Sequence, residues 1–438
     1  MKNFEEVSES FTLPEAIKEA QRCLHCKVPG CKKGCPINND IPDWIAQLAM
    51  GNFGNAMTII NSKSNLPAVC GRVCGHERQC EGNCVLGKKE SPVQIGKLER
   101  FVADFDAVAG WTHENIPEKN KGKVAVIGSG PAGLTIAGDL SRQGFYVEIF
   151  EMEPEAGGVL TFGIPEYRLP KEVVNREIKK IESLGVKFNL NTTIGSDFTI
   201  DQLFAKGFDA IFMGTGTGVP KRLDIPGISH PGVRQAIRFL RRVGMYENGY
   251  ISRNEVVIGE GDKVAVIGCG NTAMDAARTA LRMGASDVSV IYHKDLENMT
   301  ALRAEYDEAV KEGVKFIWNS SVTNIEGGEG FKLKSITLKT EEKEQIVPLD
   351  NLILAVGSAP ASRIVDSTTG IEVDSKGYVL TRENPYGMTT RVGVFAGGDV
   401  TNRPATVVHA MQDAKKVAEG ITQYISAFKL MESLNLIP

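Results

Sequence analysis

Residues 123–134, KVAVIGSGPAGL, decide the fold of this 438-residue chain. The apolar run Val124–Ile127 reads as a buried strand, and Gly128-Ser129-Gly130-Pro131-Ala132-Gly133 follows it directly. A helix-like stretch (Ala132–Arg142) and a second apolar run, Val147–Phe150, complete a strand–turn–helix–strand unit. That pattern belongs to a parallel sheet covered by helices. Alone, G-x-G-x-x-G is a weak signal, and an unliganded tight turn is the bland reading of it. Here the strand before it and the helix after it give it weight. The glycines allow a tight turn and close approach of the backbone to a pyrophosphate, which the helix N-terminus attracts. Glu151, 18 residues beyond Gly133, stands where a carboxylate binds ribose hydroxyls.

The same texture returns at Lys263, about 140 residues later: VAVIG, then Gly268-Cys269-Gly270-Asn271-Thr272-Ala273, a helix (Ala273–Met283) and the run Val288–Tyr292. This strand leads into Tyr292-His293-Lys294, with no acid. A carboxylate there repels a 2′-phosphate and basic groups accept one, so the second nucleotide reads as NADP, against the plainer reading of an exposed His-Lys pair. Two sites in one chain point to FAD at the first and a nicotinamide at the second. Further buried-strand candidates are Ala210–Gly214, Asn351–Gly357 and Val392–Gly398, and a last amphipathic helix runs from about Ala405 to Ala427. Gly397-Gly398-Asp399 would put glycines and a carboxylate near the flavin's ribityl and pyrophosphate groups. The expected order is a helical segment 1–118, a flavin domain made of 119–225 and 350–438, and a nicotinamide domain, 226–349, spliced between. Residues 117–122 read as a charged linker.

Eight of nine cysteines fall between Cys23 and Cys84. The first set is C-x2-C-x4-C-x3-C-P: Cys23, Cys26, Cys31, Cys35 and Pro36. The second, Cys70, Cys74, Cys80 and Cys84, is spaced x3, x5, x3. Thiolates are soft ligands for iron–sulfur clusters or zinc, and a run of close cysteines ending in Cys-Pro is the bacterial ferredoxin arrangement, matched here in kind, with x2, x4, x3 in place of x2, x2, x3. Structural zinc is the competing reading. A thioredoxin-like pair at Cys23/Cys26 would need a strand before it, and a helical pattern stands there instead. His25 and His76 lie inside the block as alternative ligands, hydrogen-bond donors or surface residues. Cys269, alone in a glycine loop, reads as a small buried side chain.

Composition narrows the class. Formal net charge is −4 and the hydrophobic fraction 42%, an ordinary globular balance with no global pull toward nucleic acid or anionic membrane. The acidic, polar start MKNFEEVSES is unlike a secretory signal, and no run of 18 apolar residues occurs, so a cytoplasmic protein without a membrane span is expected.

With these residues placed, the chain resembles the small subunits of bacterial NADPH-dependent glutamate synthases. The same architecture occurs in the N-terminal part of dihydropyrimidine dehydrogenase and in the larger subunit of NADH-dependent ferredoxin:NADP oxidoreductase. RCLHCKVPGCKKGCPINNDIP, CGRVCGHERQCEGNC, GSGPAGL, GGVLTFGIPEYRLPK, GTGTGVPKRLDIPG, GCGNTAMD, AGGD and PATVVHAM carry the likeness, which covers nearly the whole chain. It implies an α/β fold with an N-terminal helical iron–sulfur domain and two Rossmann-like domains. It implies two [4Fe–4S] clusters, one on Cys23, Cys26, Cys31 and Cys84, the other on Cys35, Cys74 and Cys80, with Glu99 or Cys70 as the eighth ligand. Gly157, Gly158, Arg168, Asp399, Thr406 and Val407 belong to the FAD by this resemblance, and Arg303 joins His293 and Lys294 in the nicotinamide set. Relatives usually carry arginine where this chain has His293, and often a basic residue near Thr300. These departures leave NADP and NAD both open. The function implied is an oxidoreductase subunit that feeds electrons from NAD(P)H through FAD and clusters to a larger partner. The alternatives are a ferredoxin-linked or bifurcating oxidoreductase, or a zinc-stabilised nucleotide-binding module without turnover.

Overall fold

The structure is a computed structural model that describes residues 4–111, 114–340, 343–401 and 406–436. The chain divides into two compact units.

The larger unit comprises residues 8–161, 168–217 and 359–438. Its N-terminal part is helical: Leu13–Ala20, Ile41–Ala49, Phe53–Asn61, Pro67–Val73 and Ile95–Ala109. Proline opens three of these in the first turn, at Pro14, Pro42 and Pro67, where its missing N–H costs nothing. Trp44, Ile45, Leu48, Met57 and Ile60 are fully buried between them. No helix or strand spans 114–122, and then the sheet begins. Its seven strands lie in the order Thr381–Glu383, Tyr386–Thr389, Val394–Ala396, Ala210–Met213, Lys123–Ile127, Tyr146–Phe150, Lys187–Asn189. The five from Val394–Ala396 to Lys187–Asn189 are parallel, and the helices Pro131–Arg142 and Val407–Ser433 pack together over the sheet. This last helix runs past the expected end at Ala427, because nothing between Phe428 and Ser433 breaks it. Its expected start at Ala405 lies outside the described residues.

The smaller unit comprises residues 1–7, 162–167 and 218–358. Its parallel sheet has the order Val233–Gln235, Asn351–Leu354, Lys263–Ile267, Asp287–Ile291, Lys315–Ile317. A three-stranded antiparallel sheet, Ser321–Gly327, Leu333–Lys339 and Glu344–Pro348, packs an apolar face (Ile336, Leu338) against Leu352 and Leu354. One boundary moves. The strand expected to open the returning flavin segment at 350 pairs instead with Lys263–Ile267, in register Leu352↔Ala265. It therefore belongs to the inserted unit, which extends to Ser358.

Candidate cofactor sites

In the larger unit, the register Ile127↔Phe150 brings Glu151 level with the first glycine loop, and Gly128 N–H donates to the Phe150 carbonyl at 2.9 Å. Glu151 is buried. One of its oxygens accepts from the Ser129 N–H (2.9 Å) and hydroxyl (2.6 Å), the other from Glu153 N–H. The Ser129 hydroxyl in turn accepts from Gly157 N–H at 2.9 Å. Loop, acid and the Gly157-Gly158 turn are thus one hydrogen-bonded assembly. Both glycines take positive φ, 114° and 55°, which L side chains resist. At Gly133 a Cβ would meet the Gly128 carbonyl oxygen at 1.9 Å, whereas at Gly130 nothing lies within 4 Å. The helix is therefore drawn tight against the strand while its N-terminus opens onto free space, which fits a pyrophosphate.

Gly398, at φ 75°, brings its segment against Ala132, where an added Cβ would lie 3.0 Å from that side chain. Its N–H is held by Asp413 at 2.7 Å. Burial pushes the Asp399 carboxyl up to about 6. Thr406 caps the helix Val407–Ser433 by accepting from His409 N–H, so the positive end of a long helix lies beside this group. Arg168 is partly exposed.

The second loop, in the smaller unit, repeats the first. Gly268 N–H donates to Ile291 O at 3.0 Å, level with the end of the neighbouring strand. Gly268 has φ 116°, and a Cβ there would meet Ala355 O at 2.4 Å. Cys269 is buried. Sequence reasoning missed the brace on this loop. Thr300 N–H, Ala301 N–H and the Thr300 hydroxyl all donate to Cys269 O, and Asn271 Oδ1 accepts from Leu302 N–H at 2.9 Å. Nothing in the stretch NMTALR marks it as a brace, because three of its four donors are backbone amides that any residue carries. His293, Lys294 and Arg303 are exposed. The first two follow the strand beside the loop, and the third follows the brace. Arg303 pairs with Asp307 at 3.0 Å.

The cysteines assemble by close backbone approach. A Cβ on Gly30 would meet Asn83 O at 2.4 Å, and one on Gly34 would meet Gln79 O at 2.7 Å. The segment carrying Cys31 and Cys35 is therefore laid on the segment carrying Cys80 and Cys84. Burial raises the thiol pKa of Cys23, with Cys26 and Cys84 adding to it, and pushes Cys31 up to about 11, with Cys23 and Cys84 adding. Those four are neighbours. Likewise burial pushes Cys35 up to about 12, with Glu99 and Cys70 contributing. Cys74 is raised by its hydrogen bond with Cys70, then by burial and by Cys70, Glu99 and Cys80. Cys80 is raised by burial, then Glu81, Glu99 and Cys35. Glu99 itself is pushed up to about 8 by burial, with Glu177 adding.

Two groups of partly to fully buried thiols without a cation among them favour the neutral form; an iron cluster supplies the positive charge that makes them thiolates. The donor set fits. Among the described residues no three His, Cys, Asp or Glu side chains close around a single ion, and a cube of iron and sulfide needs its thiolates at the corners of a larger box. Cys70 and Glu99 both border the second group. Cys70 Sγ lies 3.5 Å from Met411 Sδ. His25 is exposed, at φ 45°. The His76 ring is packed on Gly96, and burial drives its pKa down to about 4, with Nε2 lacking a hydrogen-bond partner.

Residues 122–414 match the pyridine nucleotide-disulphide oxidoreductase family, and residues 1–111 match dihydropyrimidine dehydrogenase domain II, 4Fe-4S cluster. The small chain of glutamate synthase [NADPH] from Halomonas elongata is 37% identical over 97% of this chain and 94% of its own. The Escherichia coli small chain is 36% identical over 96% and 94%. The chain belongs to the glutamate synthase small-chain family. The NAD-dependent dihydropyrimidine dehydrogenase subunit PreT of Escherichia coli is 33% identical over 96% of this chain and 97% of its own. Among solved structures, Lactococcus lactis thioredoxin reductase shares the fold over 70% of this chain and 99% of its own, at TM-score 0.54 and 22% identity. FprA from Mycobacterium tuberculosis does so over 70% and 85%, at TM-score 0.56 and 18% identity.

The fold class expected from sequence stands, an α/β chain with two Rossmann-like units behind an iron–sulfur domain. The protein is an oxidoreductase of FAD, NADP(H) and [4Fe–4S] type. The zinc alternative gives way to the family of the N-terminal domain. Among the described residues no helix is long and apolar enough to cross a membrane.

Proposed function

We propose that this chain is the electron-input subunit of a larger, cytoplasmic enzyme, taking electrons from NADPH and passing them through FAD and two clusters to a partner subunit. The interleaving of the cysteine block supports this reading most. Cys23, Cys26, Cys31 and Cys84 form one ligand set, and Cys35, Cys74, Cys80 and Glu99 the other, in the same unit as the first glycine loop. A module that only bound nucleotides would have no use for two such sets. When bound, the flavin accepts hydride from the nicotinamide and releases single electrons, and the clusters carry them onward.

The residues supply position and electrostatics. Gly128 to Gly133 and the Pro131 helix terminus receive the FAD pyrophosphate, while Glu151 takes ribose hydroxyls with the lone pairs that Ser129 leaves free. Gly157, Gly158, Arg168, Gly398 and Asp399 line the remainder, and the helix start at Thr406 and Val407 offers its amides. Gly268, Gly270, Asn271 and Thr272 receive the second pyrophosphate, with His293, Lys294 and Arg303 toward a 2′-phosphate. Glu99 is favoured over Cys70 as the eighth ligand because Cys70 Sγ is already engaged with Met411 Sδ at 3.5 Å.

The test is anaerobic purification with iron and flavin analysis, then pull-down from native extract. Glu99→Ala should lower iron per flavin by about half, the share of one cluster, and Cys70→Ala should not. A colourless protein that NADPH does not reduce would refute the proposal, as would a fully loaded Glu99→Ala variant for the ligand assignment.

A further inference from the structure

Glu177 sits in the helix Lys171–Ser183 and is 0% exposed. One of its oxygens accepts from Ala68 N–H at 3.2 Å. Ala68 is in the first turn of Pro67–Val73, where a backbone N–H has no partner within its own helix. That helix carries Cys70 and ends at Cys74. The other oxygen, Oε2, is buried without a hydrogen-bond partner. Lys180 Nζ approaches only to 3.9 Å. A second link joins the same helices: Asp104 accepts from Arg72 at 2.7 Å and from Arg176 at 2.6 Å.

A half-satisfied interior carboxylate is costly, and this one stands at a particular place. Its charge acts on Glu99, and Glu99 acts on Cys35, Cys74 and Cys80. Burial raises the Glu177 pKa, while Lys180, Arg176 and the Ala68 N–H pull it back. A fixed negative charge beside a redox centre favours its oxidised form, since reduction adds a further negative charge.

We propose that Glu177 is a positioning residue of the iron–sulfur region. From a helix of the flavin-binding half it holds the helix that leads into Cys74, and its charge keeps the potential of the cluster bordered by Glu99 low. This rests on the reading that Cys35, Cys74, Cys80 and Glu99 hold a cluster. The loss is of one charge and not of shape in Glu177→Gln, which keeps an acceptor for Ala68. Glu177→Asp keeps the charge and shortens the reach.

The experiment is an EPR-monitored redox titration of the anaerobically purified full chain at pH 8, with iron per flavin measured in parallel. Glu177→Gln should keep its iron and raise the midpoint of one cluster only. At the wild-type midpoint the reduced-to-oxidised ratio of that cluster should rise roughly tenfold, about 59 mV for one electron, as expected for one charge about 10 Å away at an effective dielectric near 20. Glu177→Asp should hold the wild-type potential but lose iron faster to a chelator. Unmoved potentials in Glu177→Gln, equal movement of both clusters, or the same upward shift in Glu177→Asp would each overturn the role of Glu177. Wild-type protein without iron would instead overturn the cluster reading beneath it.

Discussion

Gly130 and Gly133 stand three residues apart in one loop and should fail in opposite ways. An added Cβ at Gly133 would lie 1.9 Å from the Gly128 carbonyl oxygen, so helix and strand must part by more than an ångström to admit it. Overpacking of this kind costs about 1–3 kcal/mol, and the upper end applies because the obstacle is backbone. Alanine's better helix propensity returns up to about 1 kcal/mol, leaving a net loss near 2 kcal/mol. At Gly130 nothing lies within 4 Å, and its φ of −68° with ψ of −174° suits any L-residue. Gly130→Ala should therefore leave the flavin-free protein unharmed, or gain about 0.5 kcal/mol from a stiffer unfolded chain. Its methyl group would occupy the space assigned to the pyrophosphate. Thermal unfolding of the flavin-free proteins, followed by flavin titration, separates the two. Gly133→Ala should melt several degrees lower, and Gly130→Ala should melt normally yet bind FAD at least tenfold more weakly, about 1.4 kcal/mol. Wild-type flavin affinity in Gly130→Ala would show that the open space is not the phosphate site, and the assignment of the first loop would fall with it.

Two further outcomes follow from the side chains around the loops. His293→Asp should lower the NADPH-to-NADH ratio of kcat/KM by about tenfold or more through repulsion of the 2′-phosphate, and His293→Arg should raise it; an unchanged ratio in both would remove His293 from the site. Burial lifts Asp399 to about 6, so folding of the flavin-free protein favours its neutral form over the charged one relative to the unfolded chain. The stability this confers is complete at low pH and is lost as pH rises through about 6. Relative to Asp399→Asn, the wild type should lose on the order of 1 kcal/mol between pH 5 and pH 7.5 by chemical denaturation, and parallel curves would contradict the buried carboxyl.

Both glycine loops were legible because each is local: strand, turn and helix are consecutive, and the hydrophobic period switches where the glycines stand. The cysteine block was legible as an iron–sulfur domain for the same reason. Pairing was not. NLIL at 351–354 is apolar at three of its four positions and fits either sheet equally well by composition; only the register Leu352↔Ala265 assigns it. Glu177 was invisible for a related reason. In KEVVNREIKKIES it is one charge among several on an amphipathic helix, and sequence does not say which acid turns inward.

The two loops share one geometry and differ in what completes it. In each, the amide of the first glycine donates to the last carbonyl of the next strand, so the residue after that strand stands level with the loop. In the first loop that residue is Glu151, and Ser129 holds it in place through two hydrogen bonds. In the second, Cys269 stands where Ser129 does and has no hydroxyl to offer, and the position of the acid is Tyr292, with His293 and Lys294 beyond it. The second loop is steadied instead from outside, by the backbone of 300–302 closing on Cys269 O and Asn271. One loop is thus braced by the same carboxylate that would contact the sugar, so its shape and its ligand preference cannot vary independently. The other is braced by residues 300–302, which lie apart from the residues that follow the strand. His293 is exposed and takes no part in that brace, so a change there leaves the hydrogen bonds that steady the loop in place.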